Sequence, residues 1–459
     1  MTAKLAAMEE IIVRKGPTFI RSAISRWRFL VRQSVTVLVA GLLCVACGSV
    51  GPPEGQVGFV ENNFGGVVSD EPRSALVGRD ILSAGGNAAD AAVAIYFAMS
   101  VTYPGAATLG GGGICVVYRG DQEAVETIDF RPLLFGAGKR TVMIPGAVRG
   151  MFALHARYGR LKWEALLLPA ESLARFGNPV SRAFARQIGG LSEGALVDSD
   201  FWRFFAPRGK PAVEGEVLRQ EELSAILATV RLRGPGAFYS GDLAGTLATD
   251  LGIMAGIQVP VDVFRTYRPK WLKTMVLDVG KNELHFPAGP SGERAAAIWR
   301  ALADSRPLSA QGLQVLSDSA GFVVIDQQGG AVSCVVSANG AVGAGRIIGR
   351  TGIIAAAPPR GDAFPGLPMV IINKPLKDAR GAAAGSGSGA GILRVLRAAS
   401  RIFTGDSNVE RALATLPGTG NAKGRANAIF CPQGARGEPG LCRFANDPAG
   451  HGLAISAAF

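Results

Sequence analysis

Apolar residues recur along the chain in two rhythms, one helical and one alternating. From Pro72 to Ala84 they fall at helical spacing behind Asp70, a candidate cap, with Pro72 near the first turn where its missing N–H costs nothing. Asn87 to Ser100 is alanine-rich and apolar on most faces, which predicts a helix buried all round and ended by Tyr103-Pro104. Ile114 to Tyr118 is a β-branched run and Ala124 to Phe130 alternates, so the pair predicts a hairpin. A long helical stretch covers Pro145 to Phe176 with a break at Tyr158-Gly159. Residues 201–268 read as mostly helical, with a turn at Gly234-Pro235-Gly236. Two further β-branched runs, Gly321 to Asp326 and Ala331 to Ser337, flank Gln327-Gln328-Gly329-Gly330 as a second hairpin. A Gly/Ser loop, Gly385 to Gly391, then feeds an amphipathic stretch from Ile392 to Phe403. Helices and strands follow one another without regular alternation, which predicts an α+β fold rather than a doubly wound parallel sheet. No internal repeat is present.

Ser34 to Cys47 is an apolar run behind a basic segment ending at Arg32, and it is short of the roughly 20 residues a membrane-spanning helix needs. That is the layout of a secretory signal. Val45-Ala46-Cys47-Gly48-Ser49 resembles a bacterial lipoprotein cleavage site, except that Cys44 stands where leucine is usual. Residues 1–46 are therefore expected to be a signal and Cys47 a lipid anchor, holding the protein to the envelope membrane in the periplasm. Plain secretion and a retained anchor are the alternatives. An exported chain meets an oxidising compartment, so Cys431 and Cys442 are a candidate disulfide, the alternative being two unrelated buried thiols.

Composition narrows the function. Of 459 residues, 48% are hydrophobic and only 18% charged, which excludes a solvated disordered chain; the 62 glycines have no three-residue period and exclude collagen. The net charge of +12 suggests a polyanion partner, but residues 1–46 hold seven basic residues against Glu9 and Glu10. That net +5 leaves +7 for the remaining 413, so no nucleic-acid partner is expected. Three scattered histidines and six cysteines supply no ligand cluster. No metal or organic cofactor is expected, and a histidine-based triad lacks material.

Gly85-Gly86-Asn87-Ala88-Ala89-Asp90-Ala91-Ala92-Val93-Ala94, the run Gly110 to Gly113, and Pro145-Gly146 with Tyr158-Gly159 come in one order. Gly215-Glu216, Gly236 to Tyr239, Gly241 and Tyr267 follow. In that order they resemble the γ-glutamyltranspeptidase family over residues 63–405, with a weaker tail. The resemblance implies an N-terminal nucleophile hydrolase, a four-layer αββα sandwich made as a precursor that cuts itself in two. Family members hydrolyse or transfer γ-glutamyl groups, typically from glutathione, and some relatives act on other amides. Here the pieces would be 47–318 and 319–459, a heterodimer held non-covalently.

The resemblance places the cut between Asp318 and Ser319, so Ser319 replaces the nucleophilic threonine, while Ala320 and Gly321 stand where threonine and histidine are usual. A hydroxyl at a strand start attacks the preceding carbonyl, and hydrolysis of the ester leaves the serine's own α-amine free as general base. No histidine is required. The alternative is an ordinary strand-edge serine in a non-catalytic member retained as an envelope binding protein. Arg131 matches the arginine that grips the substrate carboxylate, a task suited to a guanidinium fork, although Pro132 stands where glutamate is usual. Ser337 and Asn339 fall on a threonine and an asparagine that support the nucleophile and the substrate's polar end. Ser388 and Gly389 align with the oxyanion pair, whose backbone N–H groups stabilise the tetrahedral intermediate. The stretch that reads the glutamyl α-amino group aligns with Ala355 to Gly361, where Arg360 is the one charged residue and Asp362 the only nearby acid. A family serine pair becomes Leu367-Pro368. The expected substrate is a small γ-glutamyl or related carboxylate-bearing amide, with a non-glutamyl amide as the alternative. Gly110 to Gly113 lacks the Gly-Lys-Ser/Thr of a phosphate loop, so close backbone packing is its expected role.

Overall fold

The computed structural model describes residues 65–456 except 192–197, 305–318, 360–363, 365, 388, 404–407 and 415–423. The 1–46 segment, Cys47, Asp318, Arg360, Asp362 and Ser388 lie outside the described residues.

Twelve strands form one hydrogen-bonded sheet in which every pairing is antiparallel. Its first half runs Ala124–Asp129, Gly112–Arg119, Ala331–Ser337, Ser319–Asp326, Gly65–Ser69, Leu453–Ser456. The second runs Lys270–Val279, Asn282–Pro287, Leu367–Asn373, Asp378–Ser386, Arg425–Phe430, Arg443–Asn446. The halves join where Ala124–Asp129 pairs with Lys270–Val279, and there the sheet folds over, stacking Ser319–Asp326 on Asp378–Ser386.

Strand alternation explains the stacking. Successive side chains leave a strand on opposite faces, and both faces are apolar here. Phe322 and Val324 join the core beneath the helices, while Val323 and Ile325 join the core between the sheets. In the second half Met369 and Ile371 face outward and Val370 and Ile372 inward. Each such side chain contributes about 1.5–3 kcal/mol on burial. Pro72–Ser83, Ala88–Thr102, Ala147–Tyr158 and Trp163–Phe176 belong to the first outer layer, and Pro290–Ala303, Gly389–Phe403 and Val409–Ala414 to the second. The four layers are helix, sheet, sheet, helix, the αββα sandwich expected.

Local signals account for most element ends. Asn87 caps Ala88–Thr102 through a reciprocal capping box with Asp90, and that helix is buried at every position. Both hairpins form, with Ile114 opposite Asp129 and Val324 opposite Val332. Two expectations need correction. The cap of Pro72–Ser83 is Glu71, whose carboxylate accepts the Ser74 N–H at 2.7 Å, and Asp70 turns elsewhere. The Gly/Ser loop is also shorter than its composition suggests, because strand pairing continues through Ser386 and the helix begins at Gly389.

Cys431 and Cys442 are joined, and a second disulfide links Cys115 to Cys334, which face each other in neighbouring strands. Cys115 belongs to the 47–318 piece and Cys334 to the 319–459 piece. A chain cut before Ser319 would stay covalently tied, which replaces the expectation of a purely non-covalent pair.

Candidate active site

Ser319 opens its strand opposite Ser337, and Ser337 in turn lies opposite Gly112, so three strand ends meet at one edge of the sandwich. Ser319 is fully buried. Its Oγ accepts the Gly387 N–H at 2.7 Å, and its carbonyl accepts from the Arg425 guanidinium at 2.6 Å. An amide donor aimed at Oγ favours the negative charge this oxygen gains as it gives up its proton, before it attacks. The donor is Gly387, one residue before the Ser388-Gly389 pair expected from the family, and Gly389 starts the following helix.

Small residues permit this crowding. A Cβ at position 111 would lie 2.7 Å from the Ser337 carbonyl oxygen, and one at 112 only 2.2 Å from that of Phe130. The glycine run therefore works by close backbone packing. Gly387 has φ +77°, a region that favours glycine, and a Cβ at Gly391 would meet the Ser386 carbonyl oxygen at 2.0 Å.

On the Ser337 side, the Ser337 Oγ accepts the Asn339 N–H at 2.9 Å. Asn339 takes φ +60°, which asparagine adopts more readily than most residues. It lines a cavity of about 600 Å³ with Arg131, Tyr267, Lys270, Pro359 and Phe364. Arg131 is half exposed and its guanidinium grips Asp129 in two parallel contacts of 3.0 and 2.6 Å, which raises its already high pKa. The motif residues behind it act as a brace. Tyr267 Oη donates to the Arg131 carbonyl at 3.0 Å, its ring stacks on Tyr239, and burial pushes both phenols above their ordinary pKa, keeping them as donors. Ser319, Ser337, Asn339 and Gly389 thus gather at one edge, and Arg131 reaches the same cavity as Asn339.

The other side of Ser319 was not anticipated. Asp70, 3% exposed, accepts from the Gly321 N–H at 2.7 Å, the Ser386 hydroxyl at 2.6 Å and the Asn427 amide at 2.9 Å. Arg425 Nε lies 3.4 Å from the same carboxylate. One buried anion therefore ties together the nucleophile strand, the strand leading into the glycine turn, and the arginine on the Ser319 carbonyl. The available cues were faint. Asp70-Glu71 offers two acids for a single cap, and Arg425-Ala426-Asn427-Ala428 puts polar groups on one face of an otherwise apolar strand. Among the described residues no group of three or more His, Cys, Asp or Glu could hold a metal ion.

A buried hydroxyl heading a central strand of an αββα sandwich, beside a glycine turn that offers N–H groups, defines the N-terminal nucleophile hydrolase class. Cephalosporin acylase from Bacillus halodurans shares this fold, with a TM-score of 0.70 at 18% identity over 88% of this chain and 98% of that one. The gamma-glutamyltranspeptidase family model matches residues 74–315, more than half of the chain, and the protein belongs to that family. It is 32% identical to glutathione hydrolase 3 of Arabidopsis thaliana over 248 residues, which cover 51% of this chain and 39% of that protein. It is 30% identical to the glutathione hydrolase proenzyme of Bacillus subtilis over 251 residues, 50% of this chain and 43% of the relative. These matches span less than half the length of either relative, and the family match stops before Ser319.

Proposed function

We propose that the protein is a self-processing amidohydrolase or acyltransferase with Ser319 as its nucleophile. The observation that carries this is the pair of donors on Ser319, Gly387 N–H on its Oγ and Arg425 on its carbonyl. In self-cleavage Oγ attacks the carbonyl carbon of residue 318, and the C–N bond breaks as the C–O bond forms. That break frees the α-amine of Ser319, and water then hydrolyses the ester, releasing a carboxylate at 318 and returning the Ser319 hydroxyl. The amine takes the Oγ proton in each later attack on an amide substrate. Amide N–H groups of the glycine turn would hold the oxyanion, and the start of the Gly389–Phe403 helix adds favourable field.

The substrate is a small amide with a carboxylate, of the γ-glutamyl type named in the relatives, held in the cavity of Arg131 and Asn339. A non-glutamyl amide is the second reading, favoured by Leu367, which is fully buried where the family has a serine. The signal and Cys47 belong to this proposal as an exported, lipid-anchored form, and two disulfides support an oxidising compartment. Steady-state kinetics on a γ-glutamyl anilide test the donor. Arg131→Gln should raise KM by roughly tenfold or more with a smaller change in kcat. No turnover of the glutamyl compound alongside turnover of other acyl amides would move the assignment to the second reading.

A further inference from the structure

Along a strand the N–H and C=O of one residue leave by the same edge, and those of the next residue leave by the other. Gly321 turns its pair toward Gly65–Ser69. Its carbonyl accepts the Asp70 N–H at 3.0 Å, and its N–H donates to the Asp70 carboxylate at 2.7 Å. Ser319 lies two residues earlier in the same strand, so its nitrogen and carbonyl leave by that edge too. The carbonyl is where this predicts, on the Arg425 guanidinium at 2.6 Å.

That guanidinium is held from several sides. Arg425 heads the Arg425–Phe430 strand opposite Ser386, its Nε lies 3.4 Å from Asp70, and it sits 5.8 Å from the centre of the Tyr103 ring. Its side chain is only 18% exposed, so water screens its charge incompletely. Backbone dimensions place the Ser319 nitrogen roughly 4–6 Å from this charge.

Resting on the assignment of Ser319 as nucleophile, we infer that Arg425 is a positioning residue for the amine freed by self-cleavage, fixing the edge that carries it and keeping it uncharged. The base must be a neutral amine, because an ammonium has no lone pair for the Oγ proton. An ordinary α-amine, with a pKa of about 7.7–8.0, is mostly protonated at neutral pH. A like charge at this range disfavours protonation.

Asp70 acts in the opposite sense, but its charge is shared among the Gly321 N–H, the Ser386 hydroxyl and the Asn427 amide. The cavity that Asp70 and Arg425 line also holds Arg186, Arg182 paired with Glu214 at 2.8 Å, and His451. Burial and then Arg186, Arg182 and Arg425 lower the His451 pKa. On the other side of the nucleophile the described neighbours are the Gly387 amide and the Ser337 hydroxyl, which carry no charge. The net field therefore favours the neutral amine.

The test is titration of the Ser319 α-amine in processed full-length protein. Competitive labelling with acetic anhydride across pH is read by mass spectrometry of the peptide that begins at Ser319. The wild-type amine should titrate about one pH unit or more below the ordinary value. Arg425→Gln should raise it by about one unit, Arg425→Lys should keep it near the wild type, and Asp70→Asn should lower it further. Opposite shifts from the two charges are a signature that simple loss of structure would not give. A wild-type amine within half a unit of the ordinary value or above it, or Arg425→Gln and Asp70→Asn shifting it in the same direction, overturns the inference. If Arg425→Gln stays uncut, the wild type and Asp70→Asn decide the matter by themselves. A wild type with no peptide beginning at Ser319 overturns the nucleophile assignment instead, and the same spectra show which of the two has failed.

Discussion

At Gly321 a hydrogen stands where the family resemblance puts an imidazole, and the space is already used. A Cβ there would lie 3.0 Å from the Ala384 Cβ and 3.4 Å from the Asn427 amide. Gly321→His is therefore not a restoration. It should destabilise the protein by roughly 1–3 kcal/mol through overpacking, visible as a lower Tm. Asp70→Asn is the complementary change. It removes the charge that holds the Gly321 N–H and the Ser386 hydroxyl and sets an amide donor among donors, which should cost about 1–3 kcal/mol and slow self-cleavage, read as precursor persisting on a gel. Intact processing at wild-type stability in Asp70→Asn would show that the carboxylate has no part in positioning the strand. Ser319, Ser337 and Asn339 were legible because a motif order carried them. Asp70 and Arg425 were not, because their role comes from strands distant in sequence meeting at one edge.

Among the elements, strands and helices with a clear rhythm were readable from the pattern alone. The Ala331–Ser337 strand follows from its β-branched run and the Ala88–Thr102 helix from its alanine-rich apolar stretch. The failure at the first cap occurred where two local signals compete. Asp70 and Glu71 both precede Pro72, and only burial against Thr102, whose hydroxyl donates to Glu71 at 2.7 Å, decides between them. That burial has a pH consequence. It raises the Glu71 pKa above its ordinary 4.5, so the folded chain holds this proton more tightly than the unfolded one. The resulting stability is fully present below the unfolded value and is lost as pH rises through the folded value. Glu71→Gln keeps an acceptor for the cap and removes the titration. The variant and the wild type should have similar Tm values near pH 4.5, with the variant melting increasingly higher toward pH 8. A wild type that gains on the variant with rising pH contradicts this account of the cap.

For the whole molecule, the folded-over sheet explains why two pieces would remain one protein. The 319–459 piece supplies strands to both stacked halves, so separation would expose both faces of the sandwich. The Cys115–Cys334 bridge adds a covalent tie across the proposed cut. Processed protein should therefore run as one band without reductant and as two with it, and Cys334→Ser should give two bands under both conditions while losing roughly 2–5 kcal/mol of stability. Two bands from the wild type without reductant would contradict the bridge. The four-layer order was implied by the resemblance; the bridge was not, because nothing in the sequence says that Cys115 and Cys334 share a register. The central claim, that Ser319 is a nucleophile which frees its own amine, is tested most directly by intact mass and N-terminal sequencing of natively purified, reduced protein. The predicted result is a smaller fragment beginning at Ser319 and a Ser319→Ala variant that stays whole. A wild type that remains a single chain under the same conditions would contradict the account.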